Sequence, residues 1–196
     1  MIKSLTFSEY ISQKVLKIST PMQKSLYIVL ISLLGSILLA IASKINFNLP
    51  FTPIPFTMQT FAVLFLSMLL GKKVLYVLGL YIFEGILGLP VFSKGAGILY
   101  LLGPTGGYIF GFLVAGYICG TLAQQGFDKN FIKAFFAMIL GNIIVYFCGA
   151  LWLLRFMNFD IYKTISLGIL PFIIGDIIKI VFASFALSFS WKKIKI

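Results

Sequence analysis

The stretch SLYIVLISLLGSILLAIAS, residues 25–43, runs for nineteen residues without a charged side chain. A helix needs about 20 predominantly apolar residues to cross the hydrocarbon core of a bilayer. The rest of the chain has the same character: 60% of its 196 residues are hydrophobic, only 11% are charged, and the mean hydropathy is +1.06. An ordinary soluble domain is roughly 45 to 50% apolar. The sequence therefore predicts an integral membrane protein.

Apolar stretches of this kind predict an all-α fold with six transmembrane helices, at about residues 25–43, 57–71, 73–89, 105–125, 133–154 and 166–189. The second is short and is separated from the third only by Lys72 and Lys73, so we expect a tight helical hairpin. Residues 1–24 are predicted to form a cytoplasmic N-terminal segment, and residues 25–196 one membrane-embedded domain. The alternative, a secretory signal ending at Ala40–Ala42, fits less well because a 24-residue segment precedes the apolar stretch.

The basic side chains predict the orientation, because cytoplasmic loops carry an excess of lysine and arginine. Six helices place both termini on the same side. That side holds eleven basic residues: Lys3, Lys14, Lys17, Lys24, Lys72, Lys73, Lys129, Lys133, Lys192, Lys193 and Lys195. The other side holds four: Lys44, Lys94, Arg155 and Lys163. Both termini are therefore predicted to be cytoplasmic, and no loop contains the remaining basic residue, Lys179.

The composition disfavours several classes of function. The 16 basic residues lie between apolar stretches and form no patch with interleaved aromatics, so nucleic acid is not an expected partner. The chain has no histidine and no CxxC pair, which removes the commonest zinc and haem ligand sets, and we expect no metal or cofactor. Cys119 and Cys148 are interpreted as packing residues. The sequence lacks a P-loop, so any ATP that drives transport is bound by another subunit.

Two of the predicted external loops are apolar, although neither can form a continuous helix. Residues 44–57 contain Pro50, Pro53 and Pro55, and residues 88–107 combine two prolines with several glycines. Non-helical backbone at membrane depth is tolerated only where protein covers it or where it lines a cavity. We therefore expect both loops to fold over the outer end of the helices. The alternative is that they are ordinary connections.

Three charged side chains lie within the predicted helices, in their outer halves. Asp176 and Lys179 are three residues apart on one helix face, with Asp176 roughly 8 to 15 Å from the helix start and Lys179 one turn deeper, and Glu84 lies near the end of the third helix. A charge in hydrocarbon costs about 2.5 to 3.5 kcal/mol on insertion scales, so such residues usually face the bundle interior and mark a function. The alternative is a pair that only neutralises itself. Gln59 and Asn142 are candidates for neutral hydrogen bonds to a ligand or to a neighbouring helix.

Ser32, Ser36 and Ala40 repeat every four residues along the first predicted helix. Such a stripe of small residues lets another helix backbone approach closely. The residues alone leave open whether that neighbour belongs to this chain or to a partner.

Four motifs together carry a family resemblance: PIPFTMQT at residues 53–60, GILGLPVF at 85–92, GPTGGY at 103–108 and GDIIK at 175–179. In this order and spacing the chain resembles the BioY family, the biotin-specific substrate-capture components (S components) of energy-coupling factor (ECF) transporters. The resemblance runs from about residue 45 to the C-terminus.

The resemblance implies a six-helix subunit, not an enzyme, in the plasma membrane of a prokaryotic cell. It implies that biotin is the transported substrate, bound near the outer face, and that the partners are a transmembrane coupling protein and two cytoplasmic ATPases. The GDxxK motif of the family contacts biotin, which makes Asp176 and Lys179 the leading ligands. The family's first helix docks on the coupling protein through small residues, and Ser32, Ser36 and Ala40 match that pattern.

The chemistry of biotin suits these residue types. A carboxylate and an ammonium group can satisfy its ureido ring, although the same lysine could instead bind the valerate carboxylate. The apolar parts would be covered by aromatic side chains, for which the candidates are Phe56, Phe92, Tyr100 and Tyr108. Thr105 and the N–H groups of Gly106 and Gly107 open the fourth helix, a position suited to an anionic group. Glu84 does not match the family pattern and remains an independent prediction.

Other functions predict different patterns. An S component for another small vitamin would share the fold, but the GDxxK and GPTGGY motifs argue against it. A small channel would need polar residues along several helices, whereas here they gather at one end. A membrane-embedded enzyme would need a nucleophile and a base, or a metal cluster, at one depth.

Overall fold

The structure is a computed structural model that describes residues 4–194. It is predominantly helical, and its α-helices are α1 Phe7–Tyr10, α2 Pro21–Lys44, α3 Gln59–Leu70, α4 Val74–Ile86, α5 Ile98–Leu102, α6 Gly106–Gln124, α7 Phe131–Leu153, α8 Ile161–Gly168 and α9 Ile173–Ile194. A π-helical turn, Ile11–Val15, follows α1. The 3₁₀ turns are Gly71–Lys73, Phe127–Lys129, Leu154–Phe156 and Leu170–Phe172. Two short strands, β1 Asn46–Phe47 and β2 Phe56–Thr57, pair antiparallel.

Within residues 4–194, five helical stretches are long and apolar enough to cross a membrane: Pro21–Lys44, Gln59–Ile86, Gly106–Gln124, Phe131–Phe156 and Ile161–Lys193. These stretches agree with the sequence-based prediction of a helical membrane protein. Lys3 and Lys195, which entered the charge distribution, lie outside the described residues.

The second of these stretches is divided into α3 and α4, which run in opposite directions. The Nε2 atom of Gln59, at the start of α3, donates a hydrogen bond of 2.7 Å to the hydroxyl of Tyr81, near the end of α4. Between the helices Gly71 has a φ of 62°, a conformation that glycine adopts without steric cost. With 12 and 13 residues, the two arms are each about 18 to 20 Å long. The predicted tight hairpin is therefore present, with arms shorter than a bilayer core of about 30 Å.

Two buried apolar clusters fill the bundle. One contains Leu78, Tyr81 and Phe112 and extends to the end that carries residues 44–57 and 88–107, which we name the outer end. The second contains Met68 and Leu187 and fills the opposite half between α3, α6, α7 and α9. Because side chains pack the inner half, any open space at the outer end is closed toward the other side.

The two apolar loops fold over the outer end, as predicted. Thr52 donates its hydroxyl proton to the carbonyl of Leu167 (2.7 Å), and Ser43 donates to the carbonyl of Val91 (2.6 Å). These bonds tie each loop to a neighbouring segment. The loops are more regular than expected, since β1 and β2 pair at the two ends of the first loop and α5 forms within the second.

The last predicted helix, residues 166–189, begins in the wrong place. Instead of one helix there is a short amphipathic helix, α8, then a turn containing Pro171, and then α9 from Ile173. Proline lacks an N–H and disfavours helical backbone in the residue before it, so the helix cannot continue through this point. As a consequence Asp176 lies in the first turn of α9, and the predicted depth of 8 to 15 Å was wrong.

The N-terminal segment packs against the inner end of the bundle. Thr6 and Glu9 form a capping box that starts α1, and the N–H of Ser4 donates to the carbonyl of Gln124 (2.7 Å). Asp128, in the turn between α6 and α7, accepts hydrogen bonds from the N–H of Phe7 (3.2 Å) and from the indole N–H of Trp191 (3.0 Å). This carboxylate thus joins three segments. The first long helix begins at Pro21, slightly before the predicted boundary at residue 24.

The buried carboxylate predicts a pH-dependent stability. Burial raises the pKa of Asp128 to about 6, because it outweighs the hydrogen bond from Trp191 and the nearby Lys129, which act the other way. An unfolded aspartate titrates near 3.9. Since the folded-state pKa is the higher one, protonation stabilises the fold as pH falls from about 6 to about 4, by about 3 kcal/mol in all, and this contribution is lost as pH rises through 6. The chain has no histidine, the side chain that ordinarily titrates between pH 5 and 8.

We expect the thermal unfolding temperature of the purified chain to rise when the pH is lowered from 7.5 to 5.0, and Asp128→Asn to remove most of that rise. Differential scanning fluorimetry across this range measures both. Asp160→Asn is the matched control, because asparagine caps a helix as well as aspartate does and Asp160 caps α8. An equal rise in Asp128→Asn and in the wild type would contradict the assignment.

Candidate functional site

A cavity lies at the outer end, between α3, α6, α7, α9 and the two loops. It contains about 530 Å³ of space not filled by atoms, part of it continuous with the surroundings, and the centres of water molecules reach about 50 Å³ of it. The predicted site residues that line it are Phe56, Gln59, Tyr100, Thr105, Tyr108, Asp176 and Lys179.

Asp176 and Lys179 form an ion pair in the wall of this cavity. The Nζ atom of Lys179 lies 2.7 Å from Oδ1 of Asp176, and the two residues are only 7% and 2% exposed. Asp176 occupies the first turn of α9, where the positive end of the helix dipole stabilises a carboxylate. The two charges neutralise each other, which was one of the alternatives predicted from the sequence. The pair also borders the open space of the cavity.

Three other segments hold the pair in place. Thr60 of α3 donates to Oδ1 of Asp176 (3.0 Å), and Tyr146 of α7 donates to Oδ2 (2.6 Å). Lys179 donates to the carbonyl of Thr57 in β2 (2.7 Å). Hydrogen bonds to ionised groups are roughly twice as strong as neutral ones. The position of both charges is therefore fixed by the loop, α3 and α7 together.

Aromatic rings form the apolar walls. The ring centre of Phe56 lies 3.8 Å from Nζ of Lys179, a cation–π contact, and the same ring stacks on Phe172 with centroids 6.1 Å apart. Phe56 can approach α9 this closely because Gly175 has no side chain; a Cβ atom there would overlap the ring. The glycine of the GDIIK motif thus makes room for the aromatic residue of the PIPFTMQT motif.

Four of the predicted ligand residues do not line the cavity. Phe92 is fully buried and stacks on Tyr100 with centroids 5.0 Å apart, so it supports a lining residue from behind. Asn142 is 6% exposed and lies one turn from Tyr146 on α7. The N–H of Gly106 is already bonded to the backbone at 3.1 Å. The fourth is Glu84.

Glu84 instead contacts the small-residue stripe. Its Oε1 accepts a hydrogen bond of 3.0 Å from the hydroxyl of Ser36, which joins α4 to α2. Ser32 and Ser36 are buried and Ala40 is half-buried. The two serines thus pack within this chain, and docking of the stripe on a coupling protein stays a prediction. Docking on a partner through the same serines would require α2 to separate from α4.

The sequence did not predict ten of the lining residues, among them Thr60, Ser93, Tyr146 and Phe172. Thr60 closes the quoted PIPFTMQT motif, so that motif contained the missed signal. Tyr146 follows Asn142 by four residues and therefore shares its helix face. A tyrosine in an apolar helix is common, and nothing in its local sequence connects it to an aspartate thirty residues later.

Comparison with known proteins agrees with the geometry. The sequence profile of the BioY family matches residues 14–196. The chain is 39% identical over 140 residues to the biotin transporter BioY of Thermotoga maritima, covering 70% of this chain and 80% of that protein. It is 38% identical over 130 residues to a probable biotin transporter BioY of Pyrococcus horikoshii, covering 65% and 74%.

A solved structure is similar over nearly the whole fold. The crystal structure of the S-component for biotin from an ECF-type ABC transporter superposes with a TM-score of 0.80 at 25% sequence identity, covering 89% of this chain and 95% of that one. The profile match extends over far more than half of the sequence. The chain therefore belongs to the BioY family.

Proposed function

We propose that this chain is a biotin-uptake protein, the membrane-embedded S component that captures biotin from the external side. The observation that carries the proposal is the buried Asp176–Lys179 pair beside an aromatic-lined cavity, in a chain whose relatives are named biotin transporters. Few polar groups, held in fixed positions in a largely apolar cavity, are typical of a small-molecule site. Such preorganisation favours tight binding because little has to be ordered on association.

The proposed arrangement has six membrane helices: α2, α3, α4, α6, α7 and α9. Both termini lie in the cytoplasm, and the membrane is the plasma membrane of a prokaryotic cell. The charge distribution supports this orientation. Two basic residues of the predicted cytoplasmic side lie at the inner end. Lys73 approaches Glu9 of the N-terminal segment (3.7 Å), and Lys129 lies over the ring of Trp191 (5.0 Å).

The hydrogen bonds support one of the two biotin poses that the sequence left open. An ammonium group has three donors, and those of Lys179 reach Oδ1 of Asp176 (2.7 Å), the carbonyl of Thr57 (2.7 Å) and the hydroxyl of Thr60 (3.3 Å). A ligand carboxylate would have to displace one of them and would then lie close to Asp176. We therefore place the valerate carboxylate of biotin away from Lys179.

The ureido ring is placed at Asp176. A carboxylate has about four lone-pair sites, and Asp176 accepts three hydrogen bonds from the described residues, which leaves capacity for a ureido N–H. The valerate carboxylate is placed toward Thr105, at the start of α6. Within residues 4–194 the Thr105 hydroxyl has no hydrogen-bond partner, and a helix N-terminus favours negative charge.

Uptake is proposed to need partners: a transmembrane coupling protein and two cytoplasmic ATPases. The sequence itself contains no P-loop, so this chain supplies substrate capture and the ATPases supply the energy. In this arrangement biotin is the transported substrate and the chain carries out no chemical reaction.

Calorimetric titration of the purified chain in lipid nanodiscs tests both the substrate and the pose. We expect saturable 1:1 binding of biotin, no binding of thiamine or riboflavin, and an affinity for biotin amide within about threefold of that for biotin. If Lys179 held the carboxylate, the amide would lose a charge-assisted bond and bind about 10- to 100-fold more weakly. That loss would contradict the pose, and binding of another vitamin in place of biotin would contradict the function.

A further inference from the structure

A second groove lies on the outside of the bundle, between the outer halves of α6 and α7. It contains about 690 Å³ of space, open to the surroundings on one side, and is lined by Gly107, Phe110, Cys148, Leu151, Trp152 and Arg155. It shares no lining residue with the biotin cavity. At its base α6 and α7 are in close contact, because a Cβ atom at Gly107 would overlap Trp152 and the carbonyl of Cys148.

Arg155, the only arginine in the sequence, lies at one end of this groove. Its guanidinium carbon is 4.4 Å from the ring centre of Trp152 and 6.0 Å from that of Phe156. The Trp152 ring is fixed in turn, because its indole N–H donates to the carbonyl of Gly103 (2.9 Å). The guanidinium is exposed, and the part of the chain that the structure describes provides it with no hydrogen bond or ion pair. Its N–H donors therefore remain available to an external acceptor.

The remainder of the groove is apolar and faces outward. Phe110 and Leu151 are 46% and 53% exposed, and Phe147, which precedes Leu151 by one helical turn, is 64% exposed. This surface belongs to two apolar stretches long enough to cross a membrane, Gly106–Gln124 and Phe131–Phe156, with Arg155 at the end of the second. Acyl chains are the apolar material that such a surface meets. A planar guanidinium at the same place matches a phosphate group, which it can bind through two parallel hydrogen bonds.

We propose that this groove binds one anionic phospholipid, with its phosphate at Arg155 and one acyl chain along the groove between α6 and α7. Phosphatidylglycerol is favoured over phosphatidylcholine because the choline ammonium would place a second cation near the guanidinium. The site is independent of biotin binding. It would fix the outer half of α7, the helix that carries Tyr146, against α6.

Tryptophan fluorescence provides a direct test, since the sequence contains only Trp152 and Trp191. The Trp191→Phe chain is placed in nanodiscs of phosphatidylcholine that contain a small fraction of phosphatidylglycerol, with bromine atoms on the acyl chains of one lipid or the other. The brominated lipid is present at the same mole fraction in both samples. We then expect brominated phosphatidylglycerol to quench Trp152 with a relative affinity about fivefold higher than that of brominated phosphatidylcholine. Arg155→Gln is expected to make the two lipids equal.

Biotin binding, which does not involve Arg155, confirms that each variant is folded. If Trp191→Phe does not fold, native mass spectrometry of the wild type and of Arg155→Gln replaces the quenching assay, and we expect phosphatidylglycerol to remain bound to the wild type alone. Equal quenching by both lipids in the wild-type background would overturn the proposal. A preference for phosphatidylglycerol that persists in Arg155→Gln would also overturn it, because the charge would then lie elsewhere.

Discussion

Replacing Lys179 with methionine is expected to weaken biotin binding at least about a hundredfold. The substitution keeps an unbranched side chain but removes the counter-charge of Asp176, which is 2% exposed. Breaking a buried ion pair by removing one partner costs about 3 to 5 kcal/mol, and each 1.36 kcal/mol is tenfold in an equilibrium constant. Without its counter-charge the carboxylate takes up a proton or turns from the cavity, so the ligand loses a charge-assisted acceptor and the loss appears in binding as well as in folding. Calorimetric titration with biotin measures the loss.

Two further variants separate binding from folding. Lys163→Met, an exposed lysine on the short helix α8, is the matched control and should bind biotin as the wild type does. The double variant Asp176→Asn with Lys179→Met leaves no buried charge at the cavity, so we expect it to fold and still fail to bind. A Lys179→Met chain that binds biotin within about threefold of the wild type would show that the pair is structural only.

The second large effect is expected from Gly175→Ala. The new Cβ atom would overlap the Phe56 ring, which must then turn away from Lys179 or into the cavity. Adding one methyl group to a packed site typically costs about 1 to 3 kcal/mol. Because the displaced ring is a cavity wall, most of this cost should appear in the complex, as a biotin affinity lowered about tenfold or more. Equilibrium binding to Gly175→Ala measures it directly.

Gly79→Ala is the matched control, because beyond its chain neighbours and its own helix backbone no atom lies within 4 Å of the Cβ position at Gly79. Alanine there should leave binding unchanged and, in a helix, slightly improve stability. Equal biotin affinities for Gly175→Ala and Gly79→Ala would mean that the Phe56 ring takes no part in the site.

The helical membrane fold could be predicted because hydropathy is a property of each stretch by itself. The bounds of α2, α6 and α7 lie within a few residues of the predicted spans, and the turn at Gly71 falls where two lysines interrupt the apolar sequence. The last helix was placed wrongly because the end of α8 and the residues after it are also apolar, so only Pro171 marks the break. Hydropathy therefore locates apolar residues but does not divide them into separate helices.

Contacts in the candidate site were predictable where one motif contains both residues. They were less predictable where the contact depends on how two helices pack. Asp176 and Lys179 share a helix turn, so their contact follows from spacing alone. Tyr146 could not be assigned to Asp176, because their contact depends on how α7 packs against α9. Glu84 was misplaced for the same reason: a charge within a helix indicates the bundle interior, but the interior includes the α2–α4 interface as well as the cavity.

The central claim is that biotin occupies the cavity beside Asp176 and Lys179. Crystals of the chain grown with biotin, with diffraction recorded at a wavelength where sulfur scatters anomalously, locate the single sulfur atom of the ligand. The two cysteines and six methionines of the chain serve as internal references. We expect one additional sulfur peak inside the cavity, between the Phe56 and Tyr100 walls. A biotin sulfur peak anywhere else, with the cavity filled by its own side chains, would contradict it.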